Sequence, residues 1–178
     1  MNPEELPYRN YPKVPPERRI YGFLIDFLAV WLTSCLAGTE LIRWLVFIAA
    51  WMGLRVFWVV NNQGQSLGRW LMDTKIIDLR FNRVPDLLTL GKREGIIGFG
   101  ALLATIGLAI NLTNGISMLI LVSPLITDCA VAFADEQLGQ AFHDKIVDSM
   151  MIQTERGFSL DLRAKKLLAQ LRRNMRKY

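Results

Sequence analysis

Four long apolar stretches, Ile20 to Ala37, Leu41 to Val60, Gly95 to Leu112 and Gly115 to Ala134, constrain this chain more than any other feature. A helix needs about 17 to 25 mostly apolar residues to cross the hydrocarbon of a bilayer. A segment in lipid must also satisfy its own backbone hydrogen bonds, and a helix does so alone. Apolar residues make up 52% of the 178 and gather into runs instead of alternating with polar positions, which is membrane-protein organisation. The expected fold is an all-α membrane protein: a four-helix transmembrane bundle with a small cytoplasmic loop layer.

The two short connections, Gly38 to Glu40 and Thr113 to Asn114, contain no Lys or Arg, and each closes a tight helical hairpin. Nineteen of the twenty-one basic residues fall before the first run, between the second and third, or after the fourth. Cytoplasmic loops carry the excess of Lys and Arg. The N and C termini and the central loop are therefore expected on the cytoplasmic side of a bacterial-type inner membrane, or of an internal membrane such as the thylakoid. The net charge of +5 then reflects topology. With no zinc-finger spacing, P-loop or RNA-binding signature beside it, no nucleic-acid partner is expected. A Pro-rich, acid-containing start and a long first run argue against a cleaved signal peptide. Cys35 and Cys129 lie at different depths, too far apart to bridge. With the single His they are too few for a structural zinc site.

The chain divides into three regions. Residues 1–18 form a Pro-rich arm, holding five of the seven prolines within the first sixteen positions, and residues 19–152 form the membrane domain. Residues 153–178 form a tail with Leu160, Ala164, Leu167, Leu168, Leu171 and Met175 on one helical face and Arg163, Lys165, Lys166, Arg172 and Arg173 on the other. A basic amphipathic helix beside a membrane domain is expected on the anionic headgroups of the bilayer, with a protein partner as the alternative. Within the central loop, Leu67, Trp70 and Leu71 predict a short interfacial helix and Lys75 to Leu79 a strand. Asn82 and Arg83 mark a turn, and Asp86 is the expected N-cap of a helix running through Leu87, Leu88 and Leu90 toward the third span.

Charges inside the runs point to a site. A carboxylate in hydrocarbon is costly unless something compensates it, and Asp26 stands about 9 Å into the first span. Arg55, near the inner end of the second span, and Asp128, near the inner end of the fourth, should share that depth. Asp26 is expected to face Arg55, on a small or polar stripe of Arg19, Gly22, Asp26, Ala29 and Thr33. Gly100 is expected opposite Asp128, which would be left as the uncompensated acid. Ser123, Pro124, Thr127 and Asp128 form a cluster able to coordinate a cation or hold water. The other reading is a closed network of Asp26, Arg55 and Asp128 that fixes helix packing and moves nothing. Arg43 is expected to snorkel or pair with Glu40 at the outer surface.

Four segments in order resemble the RDD family of multi-pass membrane proteins, named for one arginine and two aspartates. They are Arg18-Arg19-Ile20-Tyr21-Gly22-Phe23-Leu24-Ile25-Asp26, then Gly64-Gln65-Ser66-Leu67-Gly68-Arg69-Trp70-Leu71-Met72 with the strand Lys75-Ile76-Ile77-Asp78, then Lys92-Arg93-Glu94, and Gln140-Ala141-Phe142-His143-Asp144-Lys145-Ile146-Val147. The resemblance covers Arg18 to Ile152. It implies that Arg19 and Asp26 are family positions and that Gly64, Ser66, Gly68, Arg69, His143 and Asp144 belong to cytoplasmic motifs. The second family aspartate corresponds to Asp144 or Asp128, and the closing motif favours Asp144. Where the family usually ends in Ala-Gly-Thr, this chain has Val147-Asp148-Ser149. His143 reads as a proton relay or as part of a cytoplasmic cap docked under the bundle, and its neighbours favour the cap.

The family resemblance implies transport of ions or other small ligands. One expectation is thus a transporter of a cation or other small solute, using Asp26 and Asp128, with Arg55 and Arg19 setting their charge. Four spans are few for a conduit, so it would work as a homo-oligomer. The alternative is a non-catalytic accessory or assembly subunit of a larger membrane complex. No enzyme activity, cofactor or metal is expected, since no nucleophile stands with a base and no metal set is present.

Overall fold

The computed structural model describes residues 14–109, 115–135, 138–154, 156 and 159–175, and for Lys165, Leu168 and residues 171–175 it describes the backbone alone. The first helix, α1, spans Pro16–Cys35. It starts four residues before the apolar run because proline at the first helical position gives up an N–H that would have no partner there. The Pro-rich arm is therefore helical from Pro16, and its residues 1–13 lie outside the described part. The second, α2, spans Glu40–Asn61 and contains one π-helical segment, Gly53–Phe57, in which the Trp58 N–H bonds the Gly53 carbonyl.

The central loop folds as expected in outline. Helix α3, Leu67–Leu71, is capped by the Ser66 side chain, which accepts from the Arg69 N–H, and it leaves Leu67 and Trp70 exposed. Strand β1 follows at Thr74–Asp78, and Asn82 turns the chain with φ 51°. The Asp86 carboxylate accepts from the backbone and side chain of Thr89 at the start of α4, which runs unbroken over Leu87–Ala109. Helix α5 spans Gly115–Ala134, α6 Phe142–Ile146, β2 Ser149–Gln153 and α7 Leu160–Met175. The connection Thr113 to Asn114 lies outside the described residues.

The fold is mostly helical, and α2 and α5 are long and apolar enough to cross a membrane, with mean hydropathy 1.6 and 2.0. Helices α1 and α4 have the length but concentrate charge, Arg18, Arg19 and Asp26 in one and Lys92, Arg93 and Glu94 in the other. The all-α expectation needs one correction. β1 and β2 pair antiparallel from Thr74 opposite Gln153 to Asp78 opposite Ser149, so the central loop is stitched to the segment after α5. Periodicity alone did not show β2, because Met150, Met151 and Ile152 form a continuous apolar run.

Helix α1 packs on α2, and α4 packs on α5, as the short connections require. The core lies among α1, α2 and α4, where Val30, Phe47, Trp51, Ile97 and Ala101 meet. A second cluster of Val56, Val59, Ile76 and Leu90 seats β1 beneath α2 and α4. The buried positions of α1 are Arg18, Gly22, Asp26, Val30 and Ser34, a stripe in steps of four. Thr33 is exposed and bonds the Ala29 carbonyl instead, so the expected Ala29–Thr33 edge is displaced by one residue. Gly100 faces Leu125 and not Asp128. Arg43 pairs with Glu40 at 2.9 Å, and both cysteines are free.

Candidate functional site

Asp26 has no exposure to water. Its Oδ2 accepts from Arg55 Nη1 at 3.0 Å and from Ser66 Oγ at 2.6 Å, and its Oδ1 from the Gly68 N–H at 2.7 Å. The expected Asp26–Arg55 pair is therefore present, with two further donors from the cap. The local backbone makes this possible in two places. The α1 backbone at Gly22 lies so close to α3 that a side chain at Gly68 would collide with the Gly22 carbonyl. Gly64, at φ +85°, turns the chain where a side chain would meet the Ile76 carbonyl at 2.6 Å, a conformation that favours glycine.

Arg55 lies within the π-helical segment, where the extra residue per turn reorients its side chain. Its guanidinium carbon sits 5.6 Å from the Phe23 ring and 4.9 Å from the Trp51 ring, so aromatic faces replace part of its hydration. Its Nε donates to Glu94 Oε2 at 2.6 Å. Glu94 is the centre that the sequence reading missed. Its Oε1 accepts from Arg69 Nη2 at 2.6 Å and from Arg93, and it is fully buried. The available signal was spacing: Glu94, Ile97, Ala101 and Thr105 fall on one helical face, so Glu94 points where the core residues of α4 point.

From Glu94 the network continues through Arg93, whose Nε and Nη2 donate to Asp144 Oδ1 at 2.8 and 2.6 Å. Asp144 also receives Arg19 Nη2 at 2.5 Å and Ser149 Oγ at 3.3 Å. Arg19 was expected to set the charge of Asp26. It reaches Asp144 instead, because seven residues, about two helical turns, separate it from Asp26 and its long side chain extends toward the cap. Asp128 is not the uncompensated acid either: its Oδ1 accepts from the His143 N–H at 3.0 Å, and His143 Nδ1 lies 2.8 and 2.6 Å from its two oxygens. His143 is thus in a cap docked under the helices. Ser123 and Thr127 do not join Asp128; both are exposed and bond carbonyls of their own helix.

Charge explains why so many ionised groups coexist without water. Burial raises the pKa of Asp144, but the charges of Arg93, His143 and Arg19 outweigh it and hold the carboxyl well below the usual range. Burial and the neighbouring Arg55 charge push Arg69 down to about 10, against the pull of Glu94, which leaves it cationic at neutral pH. Farther out, Arg18 Nε donates to Asp161 Oδ2 at 3.1 Å, tying α7 to α1. Arg163 and Lys166 are exposed on α7. The side chains of Lys165, Arg172 and Arg173 lie outside the described residues. Among the described residues no group of three or more His, Cys, Asp or Glu forms a metal-ligand set.

A cavity of about 340 Å³ lies beside the network, between α1 and α5, and the cap forms part of its wall through Leu138, Gly139 and Ala141. Its wall includes Arg18, Arg19, Arg55, Arg69, Asp128 and His143. The fold and site define a mostly helical membrane protein in which arginine–carboxylate pairs join long helices to a small cap. The family model for the RDD family matches residues 14–148, and the chain belongs to that family. Neither a curated protein nor a solved structure matches it.

Proposed function

We propose that this RDD-family protein crosses the membrane four times, with both termini and the cap on the cytoplasmic side of a bacterial-type inner or internal membrane. Its role is non-enzymatic: it transports a small solute through the cavity between α1 and α5. The observation that carries this reading is the cavity itself, since it reaches both intramembrane charge and the cap. Its size is in the range of small-molecule sites.

The cation expectation changes in one respect. Asp26 already accepts three hydrogen bonds, so it acts as a clamp. Asp128 and Asp135 are the carboxylates on the cavity wall, and the partner of Asp128 there is His143 and not an arginine. Fluxes of sodium, potassium, protons, inorganic phosphate and octyl phosphate into proteoliposomes test the proposal. At least one should exceed that of empty vesicles and fall about tenfold in Asp128→Asn protein that still folds. All five at the empty-vesicle level would overturn it.

A second reading, an accessory subunit of a larger complex, is supported by α5. Of its described residues Asp128 alone is buried, so most of its surface is free for lipid, a second copy of the chain or a partner protein. Co-purification of a specific partner in mild detergent, together with absent flux, favours this reading over transport.

A further inference from the structure

Two arginines on the cavity wall are not fully used by the protein. Arg18 is 8% and Arg69 1% exposed, and both line the cavity. Arg18 Nη1 and Arg69 Nε and Nη1 are buried with no hydrogen-bond acceptor, although one other nitrogen of each guanidinium is paired, with Asp161 and Glu94. Charged donors shut away from water with no acceptor are costly, and an oxyanion that reached these N–H groups would supply the missing acceptors. The wall also carries the charged groups of Arg19, Arg55, Arg93, Asp128 and Asp135, and its apolar part includes Ile20 on α1, Ile97 on α4 and Phe133 on α5. Ile20 and Phe133 also stay exposed in the folded chain, so this apolar part of the wall is accessible to a ligand.

We propose that the cavity is a binding site for an amphiphilic anion, with a phosphate-type head held by Arg18 and Arg69 and an apolar chain lying along Ile20, Ile97 and Phe133. This names the solute class of the transport reading and rests on that reading for the cavity's being occupied in use. A bare metal cation is a poor occupant of a wall with unpaired guanidinium donors. Two sources supply the chemistry, a membrane phospholipid entering from the bilayer side and a soluble amphiphilic phosphate entering from the cap side.

The test is calorimetric titration of the full-length protein with three octyl compounds that differ in head group: octyl phosphate, octyltrimethylammonium and octyl glucoside. Octyl phosphate should bind at least tenfold more tightly than the other two. Arg18→Gln should weaken it about tenfold, and Ala132→Phe, which fills the cavity from α5 and removes no charge, should weaken it as much. Equal binding of the three compounds, or none, overturns the proposal, as does undiminished octyl phosphate binding in both variants. Native mass spectrometry separates the sources. A phospholipid that co-purifies and is displaced by octyl phosphate identifies the bilayer; lipid-free protein that binds octyl phosphate identifies a soluble amphiphile. Binding without flux sinks only the transport reading, whereas flux without selective anion binding sinks only this one.

Discussion

Three guanidinium groups, from Arg55, Arg69 and Arg93, converge on the Glu94 carboxylate, which has no exposure to water. Removing one partner from a buried ion pair leaves the other charged and unsolvated, at a cost of about 3–5 kcal/mol. Glu94→Gln keeps the shape and removes the charge, so it should lower stability by about that amount, read as a fall in melting temperature in detergent. A loss no greater than that of Glu40→Gln, whose pair with Arg43 is largely exposed, would show that the arginines find other partners. Asp144 gives a pH signature. Its folded pKa lies below the unfolded value of about 3.9, so its stabilisation is fully present above that pH and is lost as the pH falls through the folded value. Acid unfolding of the wild type should therefore steepen below about pH 4, and Asp144→Asn should remove that part of the slope while lowering stability at neutral pH. An unchanged acid limb in the variant would contradict the assignment.

Elements carry the network in register. The π-helical segment Gly53–Phe57 puts one extra residue into a turn, and one residue of α-helix corresponds to about 100° of rotation. Deleting Gly53 should turn the outer part of α2, with Phe47 and Trp51, away from the partners it meets relative to Arg55. The deletion should destabilise the protein at least as much as Glu94→Gln, and far-ultraviolet circular dichroism should still report helix in lipid. A deletion variant as stable as the parent would show that α2 tolerates either register. Helix α7 belongs to the same scale. Asp161 fixes its start to Arg18, while Arg163 and Lys166 face outward, so the rest of the helix should lie on anionic headgroups. A fluorophore at Gln170→Cys, with Cys35 and Cys129 replaced by serine, should be quenched by a lipid-borne quencher more strongly in anionic than in neutral nanodiscs. The difference should shrink at high salt. Equal quenching in both lipids would point instead to a protein partner for the tail.

At the scale of the whole molecule, two helical hairpins and a cap meet at one chain of ionised groups: Asp26, Arg55, Glu94, Arg93, Asp144 and Arg19. Helix α5 joins this assembly at α4 and, through Asp128, at His143, yet its outer surface is exposed along its length. A second copy of the chain packed on α5 should give a homo-oligomeric mass in nanodiscs that a charge in that surface, Ile120→Lys, reduces toward the monomer. A monomeric mass for the parent protein assigns the surface to lipid or to another partner.

The apolar runs by themselves determined the helices, and the short connections determined which helices pair, because lipid and chain length leave few alternatives. Asp26 and Arg55 were legible as partners because both interrupt apolar runs at the same depth. Glu94 was not, because Lys92-Arg93-Glu94 at a helix entrance reads equally well as solvated charge. Only the tertiary structure decided that β2 closes the cap on β1, that Arg19 reaches Asp144 and not Asp26, and that Asp128 receives His143. Those choices depend on which long side chains meet when α4 and the cap are brought together, and ion pairs between residues up to 143 positions apart leave no periodic mark on the sequence that makes them.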